Sequence, residues 1–279
     1  DIHYSCNYRC SYCFCAGKWE IIKSKNRYPD IKELGEIWDR IFGIYGSCHI
    51  HISGGEPFIY PNFIDLVSLL LKKHTLEFTT NLSFDVNLFM QQIVSQGVKF
   101  NASFHPEFEN FAIFLKKVML LIENNFSVDI TYVAYPPYLE RMKEFKDECK
   151  YRGINFGIQP FRGTFQGKPY PSSYSEEERR LLKICSEFAP SVDYFIENKN
   201  NKKEKRLCHM GHMYAKIMPS GDVLRCCAED VEKIGNLFDD KDFSLLNEPL
   251  PCEIDNCPCW KRMIVGEEDK WMQLWKTPI

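Results

Sequence analysis

The stretch that decides the fold is Tyr4-Ser-Cys6-Asn-Tyr-Arg-Cys10-Ser-Tyr-Cys13, which directly follows the short apolar run Ile2–Tyr4. Its cysteines are spaced C-x3-C-x2-C. Three thiolates at that spacing wrap three corners of one small cluster. A cubane iron–sulfur cluster has four irons and takes four cysteines. The local motif supplies three, so one iron is left open to a small molecule. The competing reading is a zinc knot. Zinc prefers paired C-x2-C units with two further ligands nearby, and the nearest histidine, His3, lies on the expected strand.

A second segment, His51-Ile-Ser-Gly-Gly-Glu-Pro57, follows the apolar stretch Cys48–Ile52. Gly54 and Gly55 permit close approach of the backbone to a ligand, and Glu56-Pro57 turns the chain outward. Alone, Gly-Gly-Glu-Pro is any strand-to-helix turn. Together with the cysteine motif about forty residues earlier, it resembles the radical S-adenosylmethionine (radical SAM) enzymes. That resemblance implies that Cys6, Cys10 and Cys13 hold a [4Fe-4S] cluster whose open iron takes the amino and carboxylate groups of SAM. It implies that Gly54, Gly55, Glu56 and Pro57 bind the SAM amino group and that Tyr12 packs near the adenine. It further implies reductive cleavage of SAM to a 5′-deoxyadenosyl radical, which takes a hydrogen atom from a substrate. An external electron donor of flavodoxin or ferredoxin type follows from that chemistry.

Bulk properties narrow the class. The chain of 279 residues is long enough for one large domain and a smaller one. Net charge is −3, without a basic stripe to mark a nucleic-acid partner. The basic run Lys199–Arg206 reads as a solvated linker. No stretch of 18 apolar residues suggests a membrane span, and no secretory leader is expected. Thirteen cysteines would suit a disulfide scaffold only in a much shorter chain. Nine of them gather near the two ends: Cys6, Cys10, Cys13, Cys208, Cys226, Cys227, Cys252, Cys257 and Cys259. That distribution points to metal in a reducing, cytoplasmic setting. Cys48, Cys149 and Cys185 are spaced like core residues. Cys15 reads as a bystander, since a fourth local ligand would close the open iron.

The first 160 residues alternate strand and helix. Expected strands are Ile2–Tyr4, Cys48–Ile52, Leu76–Thr80, Lys99–Phe104, Val128–Ala134 and Asn155–Gln159. Helical spacing joins Leu34, Trp38, Ile41 and Tyr45; Phe108, Phe111, Leu115, Val118 and Ile122; and Tyr138, Met142, Phe145 and Cys149. Such alternation demands parallel strands and right-handed crossovers. Six units make an α/β fold with a partial (β/α)6 TIM-like barrel, the same architecture the resemblance implies. Ligands gather at the C-terminal strand ends of such sheets, and those ends are polar here. Asn81 either caps a helix beginning near Phe84 or, by the family analogy, meets SAM together with Ser103 and Gln159. His105 is a candidate contact to substrate or to the SAM ribose.

Beyond Pro160 the segment Phe161–Tyr174 has loop chemistry, and Arg162 within it is a candidate for a substrate carboxylate or phosphate. Glu176–Phe188 reads as a helix. We expect a barrel over 1–160, a linker over 161–205, an auxiliary domain over 206–262 and a C-terminal helix or tail over 263–279. In the auxiliary domain Tyr214–Met218 and Val223–Arg225 are expected strands around the turn Pro219-Ser-Gly-Asp222. Cys208, Gly221 and Cys226, spaced C-x12-G-x4-C, resemble the opening of SPASM and Twitch extensions, which hold auxiliary clusters. Six cysteines are too few for two clusters and suffice for one. Its ligands are expected to be Cys208 and Cys226 plus two of Cys252, Cys257 and Cys259, whose C-x4-C-x-C spacing departs from the common ending. Zinc with His209 or His212 is the alternative there.

A single auxiliary cluster favours oxidation of a substrate radical, and Cys227 beside a ligand is a candidate hydrogen donor for epimerisation. The chain opens on Asp1 almost at a strand, with no leader-binding segment before the barrel. The expectation is therefore oxidation or epimerisation of a small molecule such as a sugar or cyclitol. Radical modification of a peptide is the alternative, and a pure iron–sulfur electron carrier the second.

Overall fold

The computed structural model describes residues 1–185 (backbone only at 184 and 185), 206–228, 231–252 and 263–266. Five strands, β1 (His49–Ile52), β2 (Thr75–Thr80), β3 (Val98–Phe104), β4 (Ser127–Ala134) and β5 (Phe156–Pro160), lie side by side in chain order. Every adjacent pair is parallel. Helix α1 (Trp19–Lys23) is short and buries none of its side chains. Helix α2 (Ile31–Tyr45) precedes β1, and α3 (Phe63–Leu70), α4 (Val86–Gln92), α5 (Phe111–Glu123) and α6 (Met142–Tyr151) fill the successive crossovers. Chain-order strands with helical crossovers curl one way, which gives the partial-barrel architecture.

The strands alternate strictly. On β3, Val98, Phe100, Ala102 and Phe104 are buried, and Lys99, Asn101 and Ser103 are only half-buried. On β4, Val128, Ile130, Tyr132 and Ala134 are buried in the same way. The buried rows share one core with Phe63, Val67 and Leu70 of α3, Phe114, Val118 and Leu121 of α5, and Met142, Phe145 and Cys149 of α6. A parallel sheet covered on both faces would be apolar throughout. Here the other face stays polar. It pairs Lys99 with Asp129 at 2.8 Å, Thr131 with Asn101 at 2.5 Å, and His51 with Thr79 at 2.7 Å.

Several expectations change. Ile2–Tyr4 does not extend into a strand. It makes one isolated parallel bridge, His3 to Gly54, with Ile2 N–H on Ser53 O at 2.8 Å and Gly55 N–H on His3 O at 2.7 Å. Beyond β1 the backbone bends at Gly54 (φ +133°), so no longer ladder forms. The six expected strands are therefore five and a bridge. Asn81 caps no helix; Asp85 does, accepting from the N–H groups of Asn87 and Leu88. Phe108 and Tyr138 precede α5 and α6 rather than opening them. The expected loop after Pro160 contains a hairpin, β6 (Gly163–Phe165) with β7 (Lys168–Tyr170). Its two-residue connection, Gln166 (φ 48°) and Gly167 (φ 74°), has the positive dihedrals that suit strand twist. Phe161 and Tyr174 are buried in the barrel core, with the Tyr174 hydroxyl donating to Ala134 O at 2.5 Å. Helix α7 (Glu176–Cys185) follows.

The C-terminal unit pairs β8 (Leu207–Cys208) with β12 (Leu250–Pro251) and forms a three-stranded antiparallel sheet. Its strands are β9 (Lys216–Ile217), β10 (Asp222–Leu224) and β11 (Lys233–Asn236). Gly221 (φ +85°) makes the turn into β10. Val223, Leu237 and Phe243 pack on Ile37 and Ile41 of α2. Arg27 holds Asp239 at 2.8 Å, and Tyr45 accepts from Leu245 N–H at 2.6 Å.

Candidate active site

The cysteine loop sits where the N-terminal segment passes the end of β1. Two glycines allow this crossing. A Cβ on Gly54 would run into the carbonyl of His3, and one on Gly55 into that of Ser5. The close approach they permit is thus first to the chain's own backbone. Glu56 N–H then donates to Ser5 O at 2.9 Å.

Glu56 is 1% exposed. Its carboxylate accepts from the Thr80 hydroxyl at 2.7 Å, Asn81 N–H at 2.7 Å and Phe58 N–H at 3.2 Å. Burial pushes its carboxyl up, against the pull of those three donors. Glu56 therefore ties the turn to the end of β2, and Pro57, also buried, opens a 3-10 turn through Ile59.

Side chains from neighbouring strand ends anchor the loop. Asn81 donates to Asn7 at 3.0 Å, and Asn7 donates to Ser83 at 2.8 Å. Beyond β3, Glu107 accepts from Ser11 N–H at 2.8 Å and from the Ser11 hydroxyl. Ser11 lies between Cys10 and Cys13, so the loop is held on both sides. Asn7, Ser11, Ser83 and Glu107 carried no sequence signal beyond lying in polar runs.

Cys6, Cys10 and Cys13 are free thiols. Cys10 is pushed up to about 12, first by burial and then by the neighbouring Cys13, Glu107 and Cys6. Burial also pushes Cys6 up, with Cys13 among the contributors. The Cys15 thiol and N–H pull Cys13 down. Three thiols within electrostatic reach of one another, on an anchored loop, are a donor set that fits an iron–sulfur cluster. Among the described residues no three ligand-type side chains form a compact single-ion site.

Aromatic rings wall the site. Tyr12 is buried, stacks on His105 with centroids 5.8 Å apart and tilts against Tyr135 at 5.2 Å. Burial drives the His105 pKa down to about 4, so the ring is neutral near pH 7. Ser103 is half-buried on the polar sheet face opposite Thr131. Gln159 is exposed on β5, and Arg162 is exposed just before β6. The structure brings Tyr12, His105 and the three cysteines together.

In the C-terminal unit Cys208, Cys226 and Cys252 pack with Met210 and Met263. Burial raises Cys208 and Cys226, and each feels the charge of Cys252. Cys227 is exposed. His209 and His212 face each other through Nδ1 atoms 3.1 Å apart. Cys257 and Cys259 lie outside the described residues.

Comparison with known proteins fits this geometry. The family model described as the radical SAM superfamily matches residues 2–187. The chain is 23% identical over 279 residues to the antilisterial bacteriocin subtilosin biosynthesis protein AlbA of Bacillus subtilis (strain 168). That match covers 90% of this chain but 59% of AlbA. GTP 3′,8-cyclase of Nostoc punctiforme is 32% identical over 93 residues, 33% of this chain and 27% of the cyclase. Among solved structures, native anSMEcpe with bound AdoMet superposes with a TM-score of 0.61 at 17% identity, over 86% of this chain and 76% of that one. The same enzyme with AdoMet and the Kp18Cys peptide gives 0.57 over the same shares. No described helix is long and apolar enough to cross a membrane. With a family model spanning two-thirds of its length and a loop of three free cysteines held beside a Gly-Gly-Glu-Pro turn, this chain belongs to the radical SAM superfamily, enzymes that use SAM and [4Fe-4S] clusters.

Proposed function

We propose that this chain is the catalytic part of a radical SAM enzyme that modifies a ribosomally made peptide. The observation behind this reading is the extent of its likeness to the bacteriocin biosynthesis protein, which runs through 90% of the chain, whereas the cyclase match covers a third. The fold relative with bound Kp18Cys peptide supports the same substrate class. The sugar or cyclitol expectation has less support from these relatives than the peptide. The chain spans 59% of the bacteriocin protein. Where it begins therefore carries no weight against a peptide.

In this reading Cys6, Cys10 and Cys13 hold the cluster, and the Gly54–Pro57 turn, Asn81 and Ser103 serve SAM. When loaded, the cluster and SAM supply a hydrogen-abstracting radical. The protein's task is to hold the loop, orient the substrate and exclude water. Asn7–Asn81 and Ser11–Glu107 do the first. The polar sheet face, with Thr131–Asn101 nearer the C-terminal strand ends, offers donors and acceptors to an extended peptide. Cys208, Cys226 and Cys252, completed from Cys257 and Cys259, are candidate ligands of an auxiliary cluster, with Cys227 the exposed thiol beside it.

The test uses full-length, anaerobically reconstituted protein with SAM, dithionite and each short peptide encoded in the neighbouring reading frames. We expect one peptide to change mass by a few hydrogens or by a new cross-link, with matching 5′-deoxyadenosine. Turnover of a sugar or cyclitol panel with every peptide unchanged would return the reading to a small-molecule substrate. Failure to cleave SAM at all would favour an electron carrier.

A further inference from the structure

We infer that His105 is a positioning residue that sets the reduction potential of the cluster, by donating a hydrogen bond from Nδ1 to the sulfur of Cys10. The inference rests on the reading of Cys6, Cys10 and Cys13 as cluster ligands. His105 follows the last residue of β3, and its Nδ1 lies 3.4 Å from Cys10 Sγ. The same atom is 3.0 Å from the Tyr12 hydroxyl. Cys10 is thus approached by the imidazole Nδ1. Cys6 receives a backbone donor, Tyr8 N–H at 3.4 Å, and Cys13 receives the Cys15 N–H at 3.5 Å beside the Cys15 thiol.

The ring has little freedom to do anything else. Tyr12 stacks on one face with planes 21° apart, and Tyr8 meets its edge at 90° with centroids 5.9 Å away. Tyr8 is backed by Phe108, stacked at 4.6 Å. Such packing fixes the imidazole against Cys10. A sulfur bound to iron only accepts hydrogen bonds, so the facing Nδ1 carries the hydrogen and Nε2 is the bare nitrogen. Hydrogen bonds to ligand sulfurs withdraw electron density and favour the reduced cluster. His105 therefore acts on the electron-accepting step without touching substrate.

The experiment is a redox titration of the cluster, followed by electron paramagnetic resonance, on reconstituted full-length protein without SAM. His105→Phe keeps the ring and loses the donor. His105→Asn keeps a donor near the position of Nδ1. At a fixed potential we expect the reduced-to-oxidised ratio to fall about tenfold in the Phe variant, equal to about 59 mV for one electron, and to recover in the Asn variant, with iron content unchanged. An unshifted Phe variant, or an Asn variant no better than Phe, overturns the inference and leaves the functional reading intact. A second measurement needs no substitution. In protein labelled with 15N-histidine, pulsed resonance of the reduced cluster should show a 15N coupling, and its absence overturns the inference even if the variants lose iron. Unmodified protein that builds no [4Fe-4S] cluster overturns the functional reading and this inference together.

Discussion

Glu56 belongs to a motif that was legible in the sequence, yet its side chain points where the motif alone does not say. Gly-Gly-Glu-Pro marks a turn beside the cysteine loop, but only the fold places the Glu56 carboxylate among Thr80, Asn81 and Phe58. Each buried donor left unmet costs about 1–3 kcal/mol. Glu56→Ala strands three of them and should destabilise the protein by about 3 kcal/mol or more, measured by urea unfolding of the iron-free protein. A loss under about 1 kcal/mol would mean that water replaces the carboxylate and that the turn is not tied as described. Glu107 is the opposite case: it lies in the loop after β3, and only the fold brings it to Ser11. Glu107→Ala should leave unfolding within about 0.5 kcal/mol, as for partly exposed polar sites, while the iron retained at the N-terminal site after gel filtration falls. Full retention would show that the cysteines hold the cluster without this anchor.

Strands, helices and their order were read from local pattern because each element repeats a period the core enforces. The misses have physical causes. Ile2–Tyr4 has strand composition, but a ladder needs a straight neighbour, and the bend at Gly54 ends β1's extension after one bridge. The hairpin after Pro160 was hidden by its loop-like composition; the signal was Gln166-Gly167, a pair suited to positive φ. The alternation Lys99-Phe-Asn-Ala-Ser-Phe104 was in view and announced an open polar face, which a strand read only for apolar content does not reveal. At this scale the bridge itself is testable. Gly55→Ala drives a methyl into the Ser5 carbonyl, a backbone atom that cannot swing away. Displacing the segment that leads into Cys6 should cost about 1–3 kcal/mol and abolish assembly of the N-terminal cluster, seen as loss of its iron in reconstituted protein. An alanine variant with wild-type iron would show that the segment shifts freely.

As a whole molecule the chain joins a barrel to a small cysteine-bearing unit seated on α2 through Ile37, Ile41, Val223, Leu237 and Phe243. Cys208, Cys226 and Cys252 pack among C-terminal residues, apart from the barrel core. Cys208 and Cys226, linked in the sequence by their resemblance to Twitch extensions, pack in one hydrophobic cluster. The convergence of Cys252 depends on β8 pairing with β12, a long-range contact without a local signal. Two cubanes predict about eight irons per chain. Cys208→Ala should still make 5′-deoxyadenosine while losing conversion of the true substrate. Since metal binding supplies folding energy to such units, circular dichroism must show that unit still folded. A folded variant with intact conversion would make the second site structural only. The claim on which everything else rests is that Cys6, Cys10 and Cys13 hold the cluster that cleaves SAM. The direct measurement is 5′-deoxyadenosine formed from SAM under dithionite by the unmodified protein and by the variant with all three changed to Ala. Slow formation by the unmodified protein is expected even without substrate, and none by the variant, which keeps about half the iron. A variant that still cleaves SAM would contradict the claim.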